Sequence, residues 1–182
     1  MNRLAIALTI SAALASTLAH AEAPDLSKVN GSLTAEAGKT YGDIDTVNGS
    51  ISVEEKAVAQ TVETVNGSIT IDPFARVGDV STVNGKILMR NGVAARSVET
   101  VNGSIVGVSN LRIEKGVEAV NGSIEIGASS LVGGNVETVN GAIPLLAMKI
   151  GGNVETVNGN VTIGENSVVA GHLKVNKPKG WG

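Results

Sequence analysis

The tripeptide Val-Asn-Gly starts at residues 29, 47, 65, 83, 101, 120, 139 and 157, at intervals of 18, 18, 18, 18, 19, 19 and 18. A single Asn-Gly between apolar runs signals a β-hairpin, because both residues tolerate positive φ. Eight copies at a nearly fixed period signal a solenoid or array. With the Val counted as position 1, position 5 is always aliphatic, from Leu33 and Ile51 to Ile143 and Val161. Position 7 is mostly apolar, with Gly107 as an interruption, and a further aliphatic precedes each Val by three residues, from Leu26 to Val154. Apolar residues at alternate positions read as a half-buried strand, with positions 1, 3, 5 and 7 on one face. Glycines and β-branched residues exclude helix.

Composition varies only in the middle of each unit, as in "EEKAVAQT" from Glu54, "DPFARVGD" from Asp72 and "RNGVAARS" from Arg90. The one-residue insertions fall in or near these middles, as expected of loops between packed walls. Two architectures fit such units: one coil of a parallel β-solenoid each, or one hairpin each in a long meander or membrane barrel. A membrane barrel needs aromatic girdles, and Tyr41, Phe74 and Trp181 are the only aromatic residues in the chain. Close copying of side chains also suits a parallel ladder, in which each residue stacks on its own copy about 4.8 Å away. The expected fold is an all-β, single-domain parallel β-solenoid (β-helix) of about eight coils of 18–19 residues.

In that fold the Asn-Gly pairs become corners or bends. Asn30, Asn48, Asn66, Asn84, Asn102, Asn121, Asn140, Asn158 and Asn176 would form a hydrogen-bonded amide ladder, facing inward or lining an outer corner. Gly31, Gly49, Gly67, Gly85, Gly103, Gly122, Gly141 and Gly159 would mark close backbone approach or positive φ. Open solenoid ends expose strand edges that invite association. The C-terminal end, with Lys177, Pro178, Lys179 and Trp181, reads as blocked and the N-terminal end as open.

Residues 1–21 have the basic start, apolar run and Ala19-His20-Ala21 site of a secretory signal peptide. This pattern predicts a division of the chain into a signal peptide (1–21), a repeat domain (22–176) and a C-terminal cap or tail (177–182). It places the protein outside the cytoplasm, in the periplasm, at the cell surface or beyond. The mature chain carries a net charge near −4, which argues against nucleic acid as a partner, and contains no other segment able to span a bilayer as a helix. No cysteine is present, so neither disulfides nor thiolate chemistry contribute.

The units "VETVNGSI" and "VETVNGNVTI", behind a signal peptide and at this spacing, resemble the extracytoplasmic β-strand-repeat proteins grouped as an adhesin-like family of β-solenoids. The similarity covers about residues 26–176. More distantly the chain resembles the bactofilins, cytoskeletal β-solenoids that polymerise end to end, although those are cytoplasmic. The resemblance implies a parallel β-solenoid at the bacterial cell envelope, and it carries over no catalytic residue.

Several columns are candidates for chemistry. Asp45, Glu63, Glu99, Glu118, Glu137 and Glu155 would stack about 4.8 Å apart, each neighbouring pair repelling by roughly 1 kcal/mol in water. They form a weak cation-site candidate, or they splay into solvent and are screened. Thr46, Thr64, Thr82, Thr100, Thr138 and Thr156 form a polar ladder without the second threonine column of an ice-binding face. Lys39, Arg76, Arg96, Arg112, Lys115 and Lys149 lie in the variable middles and are either scattered solvated charges or contacts for an anionic polysaccharide. His172 is the only histidine after residue 21, which leaves little for histidine-based triads. Asp72, Arg76 and Asp79 come nearest to a lyase-like cluster. The expected function is non-enzymatic and needs no cofactor: a structural or adhesin-like role, with self-association through the ends or contact with surface glycans. The alternative is a carbohydrate-binding or polysaccharide-processing β-helix.

Overall fold

A computed structural model describes residues 23–176. The expected signal peptide and the tail 177–182 therefore lie outside the described residues. Every strand pairing is parallel, and each pairs a residue with its own copy 18 or 19 positions away. The chain is thus an all-β, single-domain parallel β-solenoid of about eight turns, with no helix among the described residues.

Each turn has three walls. The first is the Val-x-Thr-Val-Asn segment, as in Val136–Asn140, and the second is the aliphatic triplet, as in Ile69–Ile71. The third is a two-residue wall, as in Arg112–Ile113. In earlier turns the third wall runs without a break into the next first wall, giving nine-residue strands such as Val58–Asn66 and Arg76–Asn84. After Ile113 the two separate, because Glu114-Lys115-Gly116 holds one residue more at this corner than the preceding turn does. The second walls form an eight-stranded sheet, and the first and third walls together form a thirteen-stranded one.

The core is a stack of aliphatic columns. Ile44, Val62, Val80, Val98, Val117, Val136 and Val154 line it from the first wall, and Ile51/Val53, Ile69/Ile71 and Ile87/Met89 from the second. Where Gly107 leaves a gap in the second wall, Leu111 fills it: a Cβ on Gly107 would overlap the Leu111 Cδ1. Large rings are dispensable because three walls close around a narrow interior. Tyr41 is the exception. Its ring sits in the N-terminal turn above Leu33 and Ala35 in sequence, buried like them, and its hydroxyl accepts a hydrogen bond from the Glu36 backbone N–H at 3.1 Å.

Two register expectations are corrected. The Val of Val-Asn-Gly does not share a face with positions 5 and 7: Val47 is exposed whereas Ile51 and Val53 are buried. The Asn-Gly-Ser corner interrupts the strand, so alternation restarts after it. Asn176 is not a ninth rung of the ladder. Leu173 registers with Val154 and Val175 with Thr156, which puts Asn176 level with Val157, and its amide turns instead to the Glu155 carboxylate at 3.2 Å.

Candidate functional site

The Asn-Gly corner is the most repeated structure in the molecule, and it faces outward. Each asparagine Nδ2 donates to the Oδ1 of its copy one turn earlier: Asn48 to Asn30 at 3.0 Å, then Asn66, Asn84, Asn102, Asn121, Asn140 and Asn158 in succession at 2.7–2.9 Å. The ladder lies on an exposed outer corner. Beside it, the glycines are required by close approach. A Cβ on Gly49, Gly67, Gly85, Gly103, Gly122, Gly141 or Gly159 would overlap the carbonyl oxygen of the glycine one turn below. Gly31, in the first turn with no glycine beneath it, alone among the eight has positive φ (115°).

The threonine column turns inward. Thr64 Oγ1 donates to Gly49 O at 2.9 Å and Thr82 to Gly67 O at 3.0 Å, and the same bond is made by Thr46, Thr100, Thr138 and Thr156. All six are buried, so the column is a fastening between turns and unavailable to ice or any outside ligand.

The acidic column occupies the outer face of the first wall in the expected register, with Ser81 between Glu63 and Glu99. Its members meet different surroundings. Asp45 accepts from Ser27 Oγ at 2.7 Å, Glu137 from Asn135 Nδ2 at 2.9 Å, and Glu155 from Lys174 Nζ at 2.8 Å. Half-burial raises the Glu118 carboxyl above its ordinary range, and the like charges of Glu99 and Glu137 add to the shift. Burial also raises Glu63; the Ser81 hydroxyl opposes this, while Asp43, Asp45 and Asp79 reinforce it. Among the described residues no three Asp, Glu or His side chains converge to hold a metal ion. The column offers single carboxylates rung by rung, without a donor set.

The lyase-like trio is not assembled. Asp72 pairs with Arg90 at 2.9 Å, and Asp79 is held by Arg96 and Ser97. The Arg96 guanidinium holds the Asp79 carboxyl below its usual range. Arg76 stands apart on the third wall. His172 is exposed, its backbone N–H bonded to Asn153 Oδ1 at 2.8 Å.

The two ends of the described solenoid are not alike. At the N-terminal end Leu33, Ala35 and Tyr41 are buried, and Asp25 Oδ1 accepts the Asp43 N–H at 2.8 Å, although strands Leu26–Asn30 and Leu33–Ala35 each keep one unpaired edge. At the C-terminal end Ile163 is 50% exposed, Leu173 48% and Val175 40%. Among the described residues the side chains of the N-terminal turn are covered while its strand edges are open, as expected, and the core is bare in the last described turn; the expected blocking of that end by Lys177, Pro178, Lys179 and Trp181 lies outside the described residues.

Two columns escaped the sequence reading. At the corner after each second wall, Lys56, Phe74, Asn110, Ser129, Ala147 and Asn166 adopt positive φ, as do Gly38 and Gly92. Only the two glycines and two asparagines signalled it. The other is the outer face of the third wall, where Arg76, Arg112 and Lys149 stand in one line. Spacings of 36 and 37 residues, two repeats each, were the available signal. Comparison with protein-family models, with curated proteins and with solved structures returns no match.

Proposed function

We propose that this chain is an exported, non-enzymatic β-solenoid of the cell envelope with a structural or adhesin-like role, acting through its ends and outer walls. The observation that carries the reading is the C-terminal turn. There Ile163, Leu173 and Val175 leave about half of their surface bare, on strands Val161–Ile163 and Leu173–Val175 that each pair with the preceding turn and keep one unpaired edge. Unpaired parallel edges together with exposed core residues favour end-on association. The repeated polar residues support a scaffold role, because the asparagine ladder and the threonine bonds are spent on holding turn to turn. The resemblance to the adhesin-like β-strand-repeat proteins, carried by "VETVNGSI", agrees with this placement.

Sedimentation velocity on the chain from residue 22 tests the assembly half. Expected is concentration-dependent growth of elongated species, suppressed by Leu173→Glu with Val175→Glu. A single monomeric boundary at every concentration overturns it. Localisation of the processed chain by cell fractionation tests export, and retention in the cytoplasm overturns that half.

A further inference from the structure

The outward column of the third wall reads Thr40, Val58, Arg76, Ala94, Arg112, Leu131, Lys149, Val168, each residue in register with the next. From Val58 to Val168 aliphatic and cationic side chains alternate rung by rung, and Thr40 ends the pattern at the N-terminal side. At one strand spacing per turn, Arg76, Arg112 and Lys149 follow one another at about 9.6 Å. All three are exposed, and none has an ion-pair partner among the described residues. By contrast, Lys39, Lys56, Arg90, Arg96 and Lys174 are each paired with a carboxylate.

Nearby acids leave the line largely unopposed. Asp72 and Asp79, at the two corners beside Arg76, are taken by Arg90 and Arg96. Glu114, two residues beyond Arg112, is the nearest carboxylate in sequence that no salt bridge engages. The turns leading into Arg112, Leu131 and Lys149 carry Ser109-Asn110, Ala128-Ser129 and Leu146-Ala147, with no charge. The glutamate column stands on a different wall.

We propose that this wall binds a linear anionic polysaccharide bearing one carboxylate or sulfate per disaccharide, laid along the solenoid axis. In an extended β-linked chain successive rings flip, so the same edge returns once per disaccharide, and that repeat is similar in length to two turns of this solenoid. Each anionic group then meets Arg76, Arg112 or Lys149, while Ala94 and Leu131 underlie the uncharged ring between. A single exposed ion pair contributes little. Three in register on one polymer act as linked contacts, weakened by salt. The proposal rests on the adhesin-like role proposed above for the outer walls and names the ligand class of one of them.

The test measures retention of the chain from residue 22 on immobilised hyaluronan, which has one carboxylate per disaccharide. Polygalacturonate, with one on every ring, neutral dextran, and vesicles containing anionic lipid serve as comparisons. Expected is salt-sensitive retention on hyaluronan, weaker on polygalacturonate and absent on dextran and vesicles. The triple variant Arg76→Gln, Arg112→Gln, Lys149→Gln should lose about tenfold or more in affinity, with an unchanged circular dichroism spectrum. The variant Lys39→Gln, Lys56→Gln, Arg90→Gln, which removes the same charge from paired sites, should bind as the parent does. No retention on hyaluronan, equal losses in the two triple variants, tighter binding to polygalacturonate, or binding to vesicles alone would each overturn the proposal. Sedimentation scores end-on assembly separately, so failure of one reading leaves the other standing.

Discussion

Thr64 donates its hydroxyl to the Gly49 carbonyl oxygen, one turn toward the N-terminus, at 2.9 Å from inside the wall. The glycine corner cannot carry a side chain, so its carbonyl finds its partner in the threonine of the next turn. In one turn the partner is missing: Ala119 takes the threonine place opposite Gly103. Thr64→Val should cost about 1–2 kcal/mol by leaving the Gly49 carbonyl without its donor. Ala119→Thr should supply the missing bond and stabilise by about 1 kcal/mol. Urea midpoints at constant m-value measure both, and an Ala119→Thr midpoint at or below the parent's counts against the fastening role.

The glycine column sets a steeper dependence. A Cβ at Gly85 overlaps the Gly67 carbonyl oxygen, a backbone atom that cannot move without separating two turns. Gly85→Ala should therefore cost about 3 kcal/mol or more, at or beyond the upper range of overpacking. Gly38 has positive φ (68°) with no atom within 4 Å of an added Cβ, so Gly38→Ala should cost only the left-handed strain of about 1–2 kcal/mol. Thermal melts of the two variants should rank them in that order, and equal losses would contradict the close-approach account.

The period and the parallel stacking were legible because each turn repeats the residues that must touch their own copies, as Asn84 touches Asn66. Facing was harder to read. Alternation runs through Ile44-Asp45-Thr46-Val47, but it cannot be carried across Asn48-Gly49-Ser50, where the chain turns a corner, so Val47 lies on the opposite side from the one unbroken alternation predicts. A buried threonine column was hidden by its chemistry: nothing in Thr64 itself says that the only acceptor within reach is the carbonyl of a glycine fifteen residues earlier. The cation line was hidden by position. Arg76, Arg112 and Lys149 sit in segments of unlike sequence, and only the register of the third wall brings them together. Likewise the C-terminal shift in Leu173 to Asn176 becomes interpretable only through the pairing of Leu173 with Val154.

Left-handed corners at ordinary residues leave room for improvement. Ala147 has φ of 49° at a place where Gly38 and Gly92 stand in other turns, and its backbone N–H is bonded to Glu165 O at 3.1 Å. Removing the Cβ relieves about 1–2 kcal/mol of strain, while the added freedom of glycine in the unfolded chain takes back about 0.4–1 kcal/mol. Ala147→Gly should raise stability by about 0–1.6 kcal/mol. Differential scanning calorimetry checks it, and a lowered Tm would show that the methyl packing outweighs the strain.

Glu118 should make stability depend on pH in a direction opposite to a carboxylate whose pKa folding lowers. Burial, with Glu99 and Glu137 on either side, raises the folded-state pKa of Glu118. Between its ordinary value, about 4.3, and that raised value, the folded chain binds more protons than the unfolded one. Stability from this group is thus greatest when it is protonated, is lost as pH rises through the window, and stays lost above it. Glu118→Gln, which keeps the shape and removes the charge, should raise Tm near pH 7 and leave it nearly unchanged near pH 3. The difference between variant and parent isolates this group from the other carboxylates. Its growth should follow the Glu118 titration, read independently by carboxyl chemical shifts. An equal Tm difference at both pH values would assign the effect to packing and remove the electrostatic account of Glu118.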